Sequence, residues 1–220
     1  MQMAEYQPNL GVIILLVATV GLLPLFIVTM TGFLKISVVL FLIRNALGVQ
    51  QTPPNLVLYG IALILACYVT APLIGEISHQ FQGAQIQLNS MEDLSDIASR
   101  VRGPLQTHLA RYASPEEREF FLNATEGLWS EQARQNLRDD DLVVLVPAFV
   151  GSELARAFEI GFLLYIPFLV IDLIVSNILM AMGMMMVSPA LISVPLKIFL
   201  FVIVDGWSRL MHGLIVSYGG

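Results

Sequence analysis

This sequence is short of charge. Only 13% of its 220 residues are charged, against 56% hydrophobic, whereas an ordinary soluble domain carries about 25% charged residues. That shortage excludes a solvated globular chain and leaves an integral membrane protein. Cysteine is scarcer still. Cys67 stands alone in an apolar run, so no internal disulfide can form on either side of a membrane, and its expected role is that of a small buried hydrophobe. The three histidines, His79, His108 and His212, lie far apart without ligand spacing, which argues against zinc. There is no His-Glu-x-x-His pair, no phosphate-binding glycine loop and no nucleophile elbow. No enzyme chemistry, cofactor or metal is expected, and internal repeats and low-complexity tracts are missing as well.

The charges that remain are unevenly placed. Residues 75–141 hold twelve acids and six arginines, a net charge of −6, while the other five acids and five bases cancel. The acidity therefore belongs to one water-exposed insert, and nothing resembles a basic nucleic-acid surface. Three parts follow: N-terminal apolar helices over 1–74, an acidic soluble helical insert over 75–141, and C-terminal apolar helices over 142–220. Residues 10–30 are uncharged and long enough to cross a bilayer, which needs about 20 apolar residues. Residues 56–74, 160–182 and 198–216 are weaker candidates, so hydropathy by itself predicts four spans. The first nine residues lack a basic stretch, and no cleaved leader is expected there.

Proline and glycine punctuate these runs. Pro24 and Pro167 should kink their helices, which membrane helices tolerate when neighbours satisfy the freed carbonyl. Pro53 and Pro54 end the run that begins at Phe33. In the insert, Ser114-Pro115-Glu116-Glu117 supplies an N-cap serine, a proline at the first helical position and a glutamate that completes a capping box. Gly103-Pro104 marks another break. Ile97 and Val101 before it, with Leu105 and Leu109 after it, keep helical spacing and predict one buried face. Arg138-Asp139-Asp140-Asp141 reads as a solvated linker rather than a metal site. Asn123-Ala124-Thr125 matches the glycosylation pattern, a short motif with many false matches.

The charges inside apolar runs carry more information. Lys35 and Arg44 are nine residues apart, which at about 100° per residue places them on opposite sides of one helix, so a single partner cannot serve both. They are either cations near the cytoplasmic face, as the positive-inside bias has it, or are buried against acids of neighbouring subunits. Glu153, Arg156 and Glu159 follow at three-residue spacing and can pair along one helical face. Asp172 sits in the middle of an apolar run, where a carboxylate costs at least ~2.5 kcal/mol. It must face protein, water or a cation, with Lys35, Lys197 and Arg209 as available partners. A structural bridge is preferred there over a proton relay. Asp205 has Arg209 four residues on, in the favoured acid-first order.

Met182 and the run Met184, Met185 and Met186 lie at a helix end between Gly183 and Pro189. Flexible, polarizable thioethers can be plain core packing, or can fill an irregular opening shared by several subunits. The surrounding residues decide between these readings. Two blocks, 33–55 and 152–207, resemble the FliP/SctR family of type III secretion export proteins. The first reads Phe33-Leu-Lys-Ile-Ser-Val-Val-Leu-Phe-Leu-Ile-Arg-Asn-Ala-Leu-Gly onward. The second includes Ile166-Pro-Phe-Leu-Val-Ile-Asp172, Met180-Ala-Met-Gly-Met-Met-Met-Val-Ser-Pro189 and Asp205-Gly-Trp207. The basic-poor start looks more like the injectisome branch than the flagellar one.

The resemblance implies an all-α membrane-associated fold of kinked helical hairpins with a small soluble helical insert, assembled into a helical pore complex. It implies a homopentamer within a hetero-oligomer that includes SctS/FliQ-like and SctT/FliR-like subunits. An SctU/FlhB-like switch protein, the inner rod and unfolded secreted substrates would be further partners, at the bacterial inner membrane with the insert on the periplasmic side. Met184, Met185 and Met186 would form the pore gasket. Lys35, Arg44, Glu153, Arg156, Glu159, Asp172, Lys197, Asp205 and Arg209 would be polar assembly positions. Two rivals fit less well. An intramembrane aspartyl protease using Asp172 and Asp205 lacks its Gly-x-Gly-Asp context, and a small ion transporter or channel subunit lacks the inverted repeat and paired broken helices.

Overall fold

The structure, a computed structural model, describes residues 10–49, 51–82 and 91–219. The leader reading of residues 1–9 and the stretch 83–90 of the insert lie outside them. Among the described residues the chain is helical throughout: α1 Leu10–Met30, α2 Phe33–Ala46, α3 Asn55–Gln80, α4 Met91–Tyr112, α5 Pro115–Leu128, α6 Glu131–Arg134, α7 Leu142–Ala181, α8 Ala190–Ile203 and α9 Gly206–Val216. Helices α3 and α7 are each long and apolar enough to cross a membrane, and the number of candidate spans rises to four if the bent pairs α1 with α2 and α8 with α9 each count as one. The span expected over 198–216 is in fact broken. The chain bends by 64° between α8 and α9, where Asp205 takes the left-handed conformation at φ 52°.

Contacts divide the chain into two discontinuous units, one of Met1–Thr31 with Thr70–Ser152, the other of Gly32–Val69 with Glu153–Gly220. The acidic insert thus groups with α1 and the start of α7 rather than standing by itself.

In the first unit, Leu109 of α4, Ala113 just beyond its end, and Leu145, Ala148 and Phe149 of α7 form the buried core, with Met30, Leu105, Tyr112 and Phe121 packed around it. The break expected at Gly103-Pro104 does not occur, because α4 runs straight through Pro104. Proline removes one helical N–H, but continuity keeps Leu105 and Leu109 on the face that meets α7, and that burial outweighs one lost bond. Helix α5 keeps half of its expected cap: the Ser114 hydroxyl accepts from the Glu117 N–H at 3.2 Å and Pro115 occupies the first turn, but Glu117 does not close the capping box, because the Ser114 N–H is taken by a residue of α7. Ser152 continues the connection by accepting from the Ser114 N–H at 2.8 Å and donating to the Ala148 carbonyl at 2.7 Å. Thr125 of the glycosylation pattern is buried within α5 and donates to the Leu122 carbonyl. Asp141 is less a linker residue than a clamp, accepting from Arg102 at 2.7 Å and from the Arg138 N–H at 3.0 Å.

His108 of α4 is half-buried against Tyr112, with ring centroids 5.2 Å apart. Burial, and then the Arg111 charge, hold its pKa below the ordinary 6.5, while Glu76 pulls the other way. A lowered folded value means that the unfolded chain takes up the proton first. The stabilisation is complete above pH 6.5 and is lost as pH falls from there through the lower folded value. The thermal midpoint of the detergent-purified protein should therefore drop between pH 7 and pH 5 more than that of His108→Gln. Parallel pH curves for the two would count against this assignment.

In the second unit, α2 buries Ile36, Val39, Leu40, Ile43 and Ala46, the three- and four-residue spacing of one helical face, and its C-cap Leu47 is buried too. Leu58, Ala62 and Ala66 of α3, Phe168, Val175 and Leu179 of α7, and Leu210 and Leu214 of α9 are buried as well. A Cβ at Gly161 of α7 would collide with the Leu42 side chain, so glycine lets these helices approach closely. Phe41 meets Tyr59 edge-on at 5.1 Å and Phe201 meets Trp207 at 5.3 Å, the offset geometry that ring quadrupoles favour. Cys67 departs from its expected burial and is exposed, because it falls on the outward face of α3, where other large apolar residues such as Ile64 and Tyr68 are exposed too.

Candidate functional site: a buried ion pair and an exposed methionine loop

Two charged side chains sit at the centre of the second unit. Lys35 is 1% exposed and Glu153 0%, with the Lys35 Nζ 3.4 Å from Glu153 Oε1. Bare charges in such surroundings would cost several kcal/mol each, so their other contacts matter. Lys35 Nζ also lies 3.4 Å from the centre of the Tyr218 ring, a cation–π arrangement. The Tyr218 hydroxyl lies within donating distance of Glu153 Oε2 and, at 3.2 Å, of the Gly32 carbonyl. Arg156 Nη1 approaches Glu153 Oε1 at 3.5 Å from one turn further along α7. The network ties the start of α2, the first half of α7 and Tyr218, two residues past the end of α9. Glycine is required at position 32, because a Cβ there would lie 2.6 Å from the Tyr218 hydroxyl oxygen and 2.7 Å from its ring.

Arg44 is served separately, as its place on the opposite side of α2 demands. Its Nη1 donates to Asn55 Oδ1 at 2.6 Å and to the Pro53 carbonyl at 3.3 Å, and its guanidinium lies 4.9 Å from the centre of the Phe41 ring. It fastens the turn between α2 and α3 rather than meeting an acid. Glu159 lies on the exposed side of α7.

Of the three cations available to Asp172, the chain uses Lys197. Its Nζ is 2.5 Å from Asp172 Oδ2 and also donates to the Ala46 carbonyl at 3.0 Å. Lys197 is buried whereas Asp172 is 42% exposed, so the acid can still meet water or a partner. Asp172→Ala should cost about 1–3 kcal/mol by leaving the buried ammonium short of an acceptor, and Asp172→Asn, which keeps an oxygen acceptor, should cost less. Thermal unfolding of the two variants reads this order. Equal stability of all three proteins, with secretion no longer dependent on the proton gradient, would make Asp172 a relay instead. The pair expected between Asp205 and Arg209 does not form. Asp205 is the left-handed N-cap of α9, and its carbonyl accepts from the Arg209 N–H at 3.0 Å, but φ 52° turns its side chain off the helical face on which Arg209 lies.

The methionine run is built by a specific helix ending. After α7 stops at Ala181, the Gly183 N–H donates to the Met180 carbonyl at 3.0 Å and the Met184 N–H to the Leu179 carbonyl at 2.9 Å. With Gly183 at φ +74°, these are the two bonds of a Schellman motif, whose left-handed position favours glycine. Pro189 then caps α8. Between the two helices the loop presents Met184, Met185 at 82% exposure and Met186 at 101%. Thioethers so fully exposed on a single chain are not core packing.

Residues 16–214 match the FliP family. The chain belongs to that family. Among its relatives, a probable translocation protein of Sinorhizobium fredii is 53% identical over 98% of this chain and 97% of its own length. Yop proteins translocation protein R of Yersinia pestis is 49% identical over 94% of this chain and 96% of its own. The virulence protein YscR of Salmonella typhimurium is 40% identical over 95% of both. Relatives of this kind place the chain with the injectisome-type members of the FliP family. As a family member it is a membrane component of type III secretion rather than an enzyme. In sequence, Lys35 points to the cytoplasmic face, to acids of neighbouring subunits or to Asp172, and Glu153 only to Arg156; the two instead pair within one chain, and Tyr218 carries no signal, since a lone tyrosine has no pattern that announces a buried partner.

Proposed function

We propose that this chain is a pore-forming subunit of the type III secretion export gate, through which unfolded proteins cross the bacterial inner membrane. In this reading a homopentamer joins SctS/FliQ-like and SctT/FliR-like subunits and meets an SctU/FlhB-like switch protein and the inner rod, with the acidic insert on the periplasmic side. The observation that carries it is the methionine loop, a fixed helix ending that holds three soft apolar side chains in the open. Repeated around an axis, Met184, Met185 and Met186 would close a gap of irregular outline and yield to an equally irregular passing chain. The relatives support the setting, since their names speak of translocation, secretion and virulence. The bare surface of α7 supports assembly: only 17% of its most apolar stretch is buried within the chain, so lipid or other subunits must cover the rest. Asp205, exposed at the break between α8 and α9, remains available for contacts between chains.

Position 185 offers a direct check. In an otherwise cysteine-free chain carrying Cys67→Ser, Met185→Cys should give disulfide-linked dimers of neighbouring copies on mild oxidation of the assembled complex. The thiol of Phe120→Cys, exposed on the insert, should instead stay unpaired and react with alkylating reagents in solution. Crosslinking confined to position 120, with none at 185 in the intact assembly, would place the loop away from the axis.

A further inference from the structure

The second unit contains a cleft of ≈ 620 Å³ lined by α7, α8 and α9 and by Ile43 of α2. That volume lies inside the range of about 300–1,000 Å³ that holds small ligands. Its walls are hydrocarbon: Ile160, Leu163, Pro167, Phe168, Leu200 and Leu214 among others, with Arg209 the single charged residue in the lining. Among the described residues Arg209 is exposed, and its guanidinium has no ion pair, hydrogen bond or aromatic contact. The nearest acid in sequence, Asp205, is held off by the left-handed break. Gly213 also lines the cleft, and a Cβ there would meet no atom within 4 Å, so the space is open on that side.

An unneutralised guanidinium at the lip of an apolar cleft, in a chain that lies in a membrane, is a demand for an anion attached to a hydrocarbon. A protein partner could satisfy it only by bringing a carboxylate on an apolar helix, whereas phospholipid offers both halves in one molecule at high local concentration. Guanidinium is also suited to phosphate, which it can bind through two parallel hydrogen bonds. We propose that this cleft binds an anionic membrane phospholipid, its acyl chain between α7 and α9 and its phosphate on Arg209. The site is independent of any role of the methionine loop, and its failure would leave the pore reading untouched.

The test is the lipid that copurifies with the assembled complex after extraction in mild detergent, measured by mass spectrometry for phosphatidylglycerol and phosphatidylethanolamine. The intact complex should be enriched in phosphatidylglycerol over the source membrane. Arg209→Gln should reduce that enrichment on the order of ten-fold, as loss of a hydrogen bond between charged groups predicts, and Arg209→Lys should restore part of it. Gly213→Phe, which fills the open side, should lower retention of both lipids. If Gly213→Phe fails to assemble, the two Arg209 variants decide alone. Equal enrichment in the parent complex and Arg209→Gln would overturn the proposal. So would efficient crosslinking of Gly213→Cys to another subunit, which would show that protein fills the cleft.

Discussion

Glu153→Ala should be among the most damaging single changes in this chain. It leaves the Lys35 ammonium, 1% exposed, without its carboxylate, removes an acceptor of the Tyr218 hydroxyl and strands the approach of Arg156. Breaking a buried ion pair from one side typically costs about 3–5 kcal/mol, a large part of the 5–15 kcal/mol that holds an ordinary domain together. We expect the variant to be absent from the membrane or to unfold at much lower temperature. Tyr218→Phe should be milder, since the cation–π contact survives and only the hydroxyl bonds go. The double replacement Lys35→Met with Glu153→Leu should recover much of the stability, because an apolar pair of similar volume has no desolvation cost. If Glu153→Ala unfolds like the parent protein, the pair is not what fixes α2 against α7.

How much of this could be read from the sequence depends on whether the determining interactions were local. Ser114 and Pro115 set the start of α5 by contacts within four residues, and Gly183 set the end of α7 in the same way, so both were legible. Gly103-Pro104 misled, because a local propensity for a break lost to the burial of Leu109 and Phe149, which are distant in sequence. Asp205 misled in the opposite direction. The four-residue rule presumes an unbroken helix, and a single left-handed residue cancels it. Asp172 could be narrowed to three cations, but choosing Lys197 needed the approach of α8 to α7. Cys67 shows a further limit: apolar surroundings in sequence predict that a residue avoids water, not that its own chain is what covers it. In a membrane subunit, lipid and neighbouring chains do much of that work.

The methionine loop carries the second large effect. Replacing Met184, Met185 and Met186 together by alanine removes three long side chains from a loop whose backbone is fixed independently, by the bonds from Gly183 to Met180 and from Met184 to Leu179. The fold should therefore survive, since none of the three is buried in the chain, and the thermal midpoint should stay close to that of the parent. What changes is closure. Methionine has a flexible unbranched chain that can close against its copies without a rigid fit, and alanine cannot reach across the same gap. Secretion should persist or loosen while the resting barrier to ions fails. A single replacement such as Met186→Leu, which keeps the bulk, should have little effect.

The most direct measurement is the ion conductance of planar bilayers containing the complete, purified export complex at rest, compared between the parent and the triple alanine variant. The pore account predicts a near-silent parent and a variant that conducts steadily, with the same subunit composition in both. Equal, negligible conductance in the two, with assembly confirmed, would contradict it and show that the seal lies elsewhere.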